Sequence, residues 1–145
     1  MICILVLFYD YSMFDKNKLQ SRLYSRISKS VEKALDEGAD PNKRAWGCDY
    51  PLHHAVCFNR YKISSMLIKA GASINIEGIF GLTPLHYASM RGSLKLVKLL
   101  VKNGADINAV NDKLKTALDL AIEANAYSNR AQVISFLLTL KRKQQ

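Results

Sequence analysis

The 145 residues make one domain by length, and 49% hydrophobic residues with only three prolines exclude a disordered chain. Lys and Arg number 21 against 12 Asp and Glu, a net charge of +9, which favours acidic partners but speaks to association and not to fold. Cys3, Cys48 and Cys57 form an odd count without framework spacing, which argues against a disulfide scaffold and for reduced thiols.

Met1 to Tyr9 (MICILVLFY) is a continuous apolar run ended by Asp10. It is too short to span a bilayer and lacks the basic region and small-residue cleavage site of a signal peptide. It reads as a short strand, as a hydrophobic plug on the first unit, or as an upstream extension of the frame, since Met13 is an equal start. Residues 1–15 are therefore set apart as an apolar N-terminal segment.

From Lys16 to Ser28 the pattern predicts a helix with Leu19, Leu23 and Ile27 on one face, and from Ser30 to Glu37 a second, with Val31, Ala34 and Leu35 inward. Arg22 falls where later units carry alanine, so this first unit reads as an N-terminal cap with one polar face. In the second unit, Pro51 starts a helix after Tyr50, and Tyr61 to Ala70 forms its partner with Ile63, Met66, Leu67 and Ile68 inward. Tyr50 stands where a capping hydroxyl is expected, a loss of about 1 kcal/mol. Asn59 stands at a helix end, where Asn tolerates the left-handed conformation.

The third unit is the most regular. Thr83-Pro84 is a helix start: a hydroxyl caps the free amides, and proline sits where its missing N–H costs nothing. Gly92 stops that helix, and Leu94, Leu96, Val97, Leu99, Leu100 and Val101 open a second apolar stripe that ends at Asn103-Gly104. In the last unit Thr116 to Ala124 forms a helix with Leu118, Ala121 and Ile122 inward. Asp119 stands where the other units carry histidine and caps its own helix. By pattern Val133 aligns with Val97, so three extra residues lie between Asn125 and Arg130. The final helix runs from Ala131 to Leu140, followed by the basic tail of residues 141–145.

Two short helices with one apolar face each cannot bury those faces alone, and the chain repeats them. Gly104-Ala105-Asp106-Ile107-Asn108 recurs as Gly71-Ala72-Ser73-Ile74-Asn75 and as Gly38-Ala39-Asp40-Pro41-Asn42, at an interval of 33 each time. Pro84-Leu85-His86 recurs as Pro51-Leu52-His53 at the same interval, and Thr116-Ala117-Leu118-Asp119 follows Thr83-Pro84-Leu85-His86 by 33. With this period and its T-P-L-H-x-A core the chain resembles the ankyrin repeat family from about Leu19 to Leu140. The resemblance implies an all-α solenoid of stacked helix-turn-helix pairs joined by short β-hairpin-like loops. Its units are about 16–44, 45–77, 78–110 and 111–140.

Two constellations could carry other chemistry. Cys48, His53, His54 and Cys57 are all zinc ligands by type, but His53 and His54 point to different sides of one helix, and the spacing matches no known ligand pattern. In proteins resembling this one, the histidine of this motif instead ties turns of adjacent repeats together, which accounts for both His53 and His86. A thiol enzyme using Cys57 with His53 or His54 is a separate alternative, but no third residue to orient the base stands out. No catalytic residue, metal or cofactor is assigned.

The resemblance implies binding of another protein through the hairpin tips and the exposed side of each first helix. On this chain those places hold Trp46, Ile79, Phe80 and Leu82 at the tips, Phe58, Met90 and Arg91 on the helices, and Lys113 and Lys115 in the last hairpin. Clustered exposed aromatics mark interaction sites, and Trp, Tyr and Arg are the usual hot spots. The reading is a monomeric, non-enzymatic interaction module with an acidic protein partner and no small-molecule substrate. The alternative is a basic protein binding nucleic acid or an acidic membrane. Abundant Lys, Asn, Ile and Ser point to an AT-rich genome such as that of an intracellular bacterium or large DNA virus. There, small proteins similar to this family are often host-directed effectors, so the expected location is the cytoplasm, or the host cytosol after secretion.

Overall fold

The structure is a computed structural model that describes residues 18–44, 50–125 and 130–144. Met1–Tyr9, Trp46, Cys48 and the centre of the expected insertion, residues 126–129, lie outside them, as do the side chains of Leu19, Arg22 and Leu23. Seven α-helices are present among the described residues: α1 (Lys18–Asp36), α2 (Pro51–Cys57), α3 (Tyr61–Lys69), α4 (Pro84–Arg91), α5 (Leu94–Lys102), α6 (Ala117–Asn125) and α7 (Ala131–Lys143). They form two layers. In one, α2, α4 and α6 stack in order; in the other, α1, α3, α5 and α7 do the same, and each first helix packs on its own second helix.

The reason for the stacking lies in residue size. Ala55, Ala88 and Ala121, one period apart, are fully buried on the first helices and let neighbouring backbones approach closely. Leucines and valines of the second helices fill the space between the layers: Ile63, Leu67, Leu96, Val97, Leu100, Val133 and Leu137 are all sealed from water. Each second helix ends alike. The amide of Ala105 donates to Leu100 O at 3.0 Å and that of Gly104 to Val101 O at 3.0 Å, and the same pair of bonds recurs at Gly71-Ala72 and Gly38-Ala39. Gly104, at φ +91°, takes the left-handed conformation this closure needs.

Asparagine side chains then join one closure to the next. Asn42 Nδ2 donates to Gly71 O at 3.0 Å while its Oδ1 accepts from Ser73 N at 2.8 Å. Asn75 does the same to Gly104 O and Asp106 N, at 3.0 and 2.8 Å. A neutral amide has both a donor and an acceptor, so one side chain satisfies two backbone groups of the next unit.

Three expectations need correction. The first unit is not a helix pair: α1 runs unbroken through Ser28-Lys29-Ser30. No Gly or Pro interrupts it, and Ser30 Oγ donates to Arg26 O one turn back, at 3.0 Å, so the hydroxyl is absorbed by the helix instead of ending it. The C-terminal half of α1 occupies the place of a second helix, with Ile27 and Val31 buried. The insertion in the last unit is four residues and not three. α5 starts at Leu94 and α7 at Ala131, and the buried pair Val133/Leu137 takes the place of Leu96/Leu100, so Val133 does not match Val97. Finally, Ile122 does not point into the core; it is 51% exposed. Its equivalents Val56 and Ser89 are sealed because the next unit's first helix covers them, and no described element covers Ile122.

Candidate protein-binding surface

The surface is built outward from the helix starts. Thr83 N donates to His86 Nδ1 at 3.0 Å, and the Thr83 hydroxyl lies 2.9 Å from the same nitrogen. A backbone N–H can only donate, so Nδ1 is the acceptor and Nε2 carries the proton. Nε2 then donates to Lys115 O at 3.1 Å, in the next hairpin. His86 is buried and neutral; burial, the largest cause, pulls its pKa below the ordinary histidine value, outweighing the carbonyls of Lys115 and Ala109. His53 repeats the outward bond, with Nε2 2.9 Å from Leu82 O. Tyr50 brings no capping hydroxyl there; its ring lies 5.8 Å from the His53 ring, and Tyr87 meets that ring edge-on at 5.6 Å. Both repeated histidines thus tie adjacent units together.

In the last unit Thr116 N and Oγ1 both donate to Asp119 Oδ2, at 2.9 and 2.7 Å. The Thr116 hydroxyl, then its amide, hold the Asp119 carboxyl below its ordinary range. Asp119 therefore caps its own helix.

Anchored in this way, the hairpins project. Gly78 N donates to Leu82 O at 2.9 Å and Leu82 N to Ile79 O at 3.2 Å, closing a turn over Ile79–Gly81. The next hairpin packs against it. A Cβ on Gly81 would come within 2.6 Å of Asp112 Oδ1 and 3.0 Å of Asp112 N, and Phe80 O accepts from that amide at 3.1 Å. The third hairpin is organised from within by Asn111, which is buried and whose Oδ1 accepts from the amides of Lys113 and Lys115, both at 3.0 Å.

Phe80 sits at the tip, 70% exposed and at φ +59°. A bulky side chain in the left-handed region costs about 1–2 kcal/mol, and here its exposure returns little. Leu114 has the same combination, φ +57° and 80% exposed. Sequence reasoning passes it over, although a signal is present: Leu114 stands one full period after Gly81, at a position where the preceding unit uses glycine.

The remaining residues divide into two groups. Ile79 and Leu82 are half-buried beside Phe80, Lys113 is exposed in the next hairpin, and Lys115 is half-buried and paired with Glu123. Phe58, Met90 and Arg91 are exposed at the C-terminal ends of α2 and α4. Those ends are neighbours: Arg91 Nη2 lies 3.5 Å from Cys57 Sγ, and Ser93 Oγ donates to Asn59 Oδ1 at 2.7 Å. Asn59 is left-handed, φ +55°, as its residue type allows. The tips precede the first helices and the second group ends them, so the length of an eight-residue helix, about 12 Å, lies between the two.

Among the described residues no three His, Cys, Asp or Glu converge as metal ligands, and no helix is long and apolar enough to cross a membrane. A family model described as ankyrin repeats, in three copies, matches residues 23–111 and 52–144. No curated protein matches the chain at a significant level.

Proposed function

The chain belongs to the ankyrin repeat family, and from that premise we propose that it grips another protein, without catalysis, through its hairpin tips and the exposed ends of its first helices. Ankyrin repeats generally serve as protein–protein interaction modules. One observation carries the finer reading: Phe80 is held in a costly backbone conformation at a projecting tip where it buries little of its own ring. Such strain is a reason to look for function, because a residue selected for folding alone would be glycine or asparagine. Ile79 and Leu82 flank Phe80, Leu114 extends the apolar tip, Lys113 supplies a cation in the next hairpin, and Arg91 supplies another at the far end of α4. The net charge of +9 would speed encounter with an acidic partner.

Phe80→Gly separates this reading from a structural role. Glycine accepts the left-handed conformation freely, so the variant should match the parent in helical circular dichroism and melt no lower. Capture of a partner from lysate at moderate salt should fall by about tenfold or more, as for a hot-spot aromatic. Equal capture by parent and variant would remove Phe80 from the binding surface.

A further inference from the structure

A second feature lies on the opposite layer. Between α3 and α5 runs an open groove of about 810 Å³. Ile68 and Leu99, both half-buried, contribute apolar side chains to its lining, and Tyr61, exposed, stands at one end. Its rim is cationic: Lys69 on α3, and Lys95, Lys98 and Lys102 on α5, the last three at i, i+3 and i+7 along one helix face.

Among the described residues none of these lysines forms an ion pair. α3, α5 and the adjoining α7 contain no Asp or Glu; the acids of this layer, Glu32 and Asp36, lie on α1, which packs on α3. The two ion pairs among the described residues, Lys33–Glu37 and Lys115–Glu123, lie elsewhere. Lys98 Nζ instead rests 5.6 Å from the centroid of the Phe136 ring on α7. Like charges at i, i+3 and i+7 repel, which disfavours the isolated helix. The Lys stems cover part of the apolar floor but leave their ammonium groups in water.

We propose that this groove is a second docking site, separate from the hairpin tips, for an acidic amphipathic helix of another protein. Charge complementarity selects the acidic flanks. The apolar lining selects an occupant with an apolar stripe, and two nine-residue helices, about 14 Å long, offer a slot that a third helix fills by ridge-in-groove packing. A bilayer is a poorer fit, because membrane docking needs protruding apolar side chains and here the aliphatic ones are recessed among lysines. A nucleic-acid backbone would engage the lysines and leave the apolar floor idle.

The test uses labelled synthetic peptides of about five helical turns, read by fluorescence anisotropy on the full chain. One carries Glu on one face and Leu on the other; its control has the same composition with the leucines spread around the helix. The amphipathic peptide should bind about tenfold more tightly than the control. Lys95→Gln/Lys98→Gln/Lys102→Gln, which keeps helix-compatible side chains, should weaken it by about tenfold, and Tyr61→Ala should weaken it with the charge unchanged. Phe80→Gly should leave the affinity unaltered. Equal binding of the two peptides would reduce the groove to plain charge attraction and overturn the proposal. So would tighter binding of phosphatidylserine vesicles or single-stranded DNA, or loss of peptide binding in Phe80→Gly. A failure confined to the peptides leaves the hairpin surface standing, and a failure of Phe80→Gly to affect lysate capture leaves the groove standing.

Discussion

The third unit and the last one begin with the same device and put it to different use. Three residues after Thr83 comes His86; three after Thr116 comes Asp119. Each side chain accepts from the threonine amide, at 3.0 and 2.9 Å. His86 has a second nitrogen on the far side of its ring, and it spends it on Lys115 O in the next unit. Asp119 lies exposed and turns its Oδ2 back on the amide and hydroxyl of Thr116. The same contrast holds five residues after each helix begins: Ser89 is sealed, and Ile122 is half open to water. A unit with a neighbour on each side needs a two-ended, neutral residue; the last unit, of which the described residues cover one face, carries a charge and a greasy side chain in water.

The contrast is open to mutation. The largest effect is expected at His86→Ala, which strips bonding partners from Thr83 N and Lys115 O in a buried place and leaves a cavity: about 3 kcal/mol of stability lost, against about 1 for Asp119→Ala, a surface cap. Urea unfolding followed by circular dichroism measures both, and equal losses would abolish the distinction between the two units.

A smaller difference, of opposite sign, is expected at the next pair. Ser89 Oγ is buried with no hydrogen-bond partner among the described residues, so Ser89→Ala should gain about 1 kcal/mol. Ile122→Ala should cost less than about 1 kcal/mol, well below the roughly 2–5 kcal/mol of a sealed isoleucine. The same urea series reads both variants.

The smallest effect is spread over pH. His86 is depressed in the folded state, so its share of the stability is complete above about 6.5, where both states are neutral. As the pH falls below that, the unfolded chain takes the proton first and stability declines until the lower folded value is passed. Asp119 is also depressed, but from an ordinary value of about 3.8, so its share is complete above that and is lost only as the pH falls further through its folded value. Acid should therefore loosen the His86 joint before the Asp119 cap. Stability measured from pH 7 to 5 should decline less steeply in His86→Gln than in the parent, and as steeply as the parent in Asp119→Asn.

The period and the helix starts could be read directly from residue types, because Thr-Pro, the Gly closures and the small Ala55, Ala88 and Ala121 each answer a local steric demand. What escaped depended on neighbours or on counting. Ser28-Lys29-Ser30 looks like a break only until Ser30 is seen to bond one turn back. Val133 looks like Val97, yet burial aligns it with Leu96. Ile122 carries an inward residue type at a position that no described element covers. Asn42 and Asn75 were visible as repeats, but their bonds cross to the following unit and no local pattern announces them. On the surface, residue type and place in the period marked Phe80 as exposed; its strained backbone and the exposure of Leu114 required the fold.

The asparagine bridges have a mechanical consequence. Each one crosses a single seam, from Asn42 to the turn at Gly71 and from Asn75 to the turn at Gly104. The seam between the second and third units is crossed twice, by Asn75 at the closure of the second helix and by His53 Nε2 to Leu82 O at the start of the first. A load pulling those two units apart is therefore shared between an amide clasp and an imidazole clasp, and removing one side chain leaves the other still fastened.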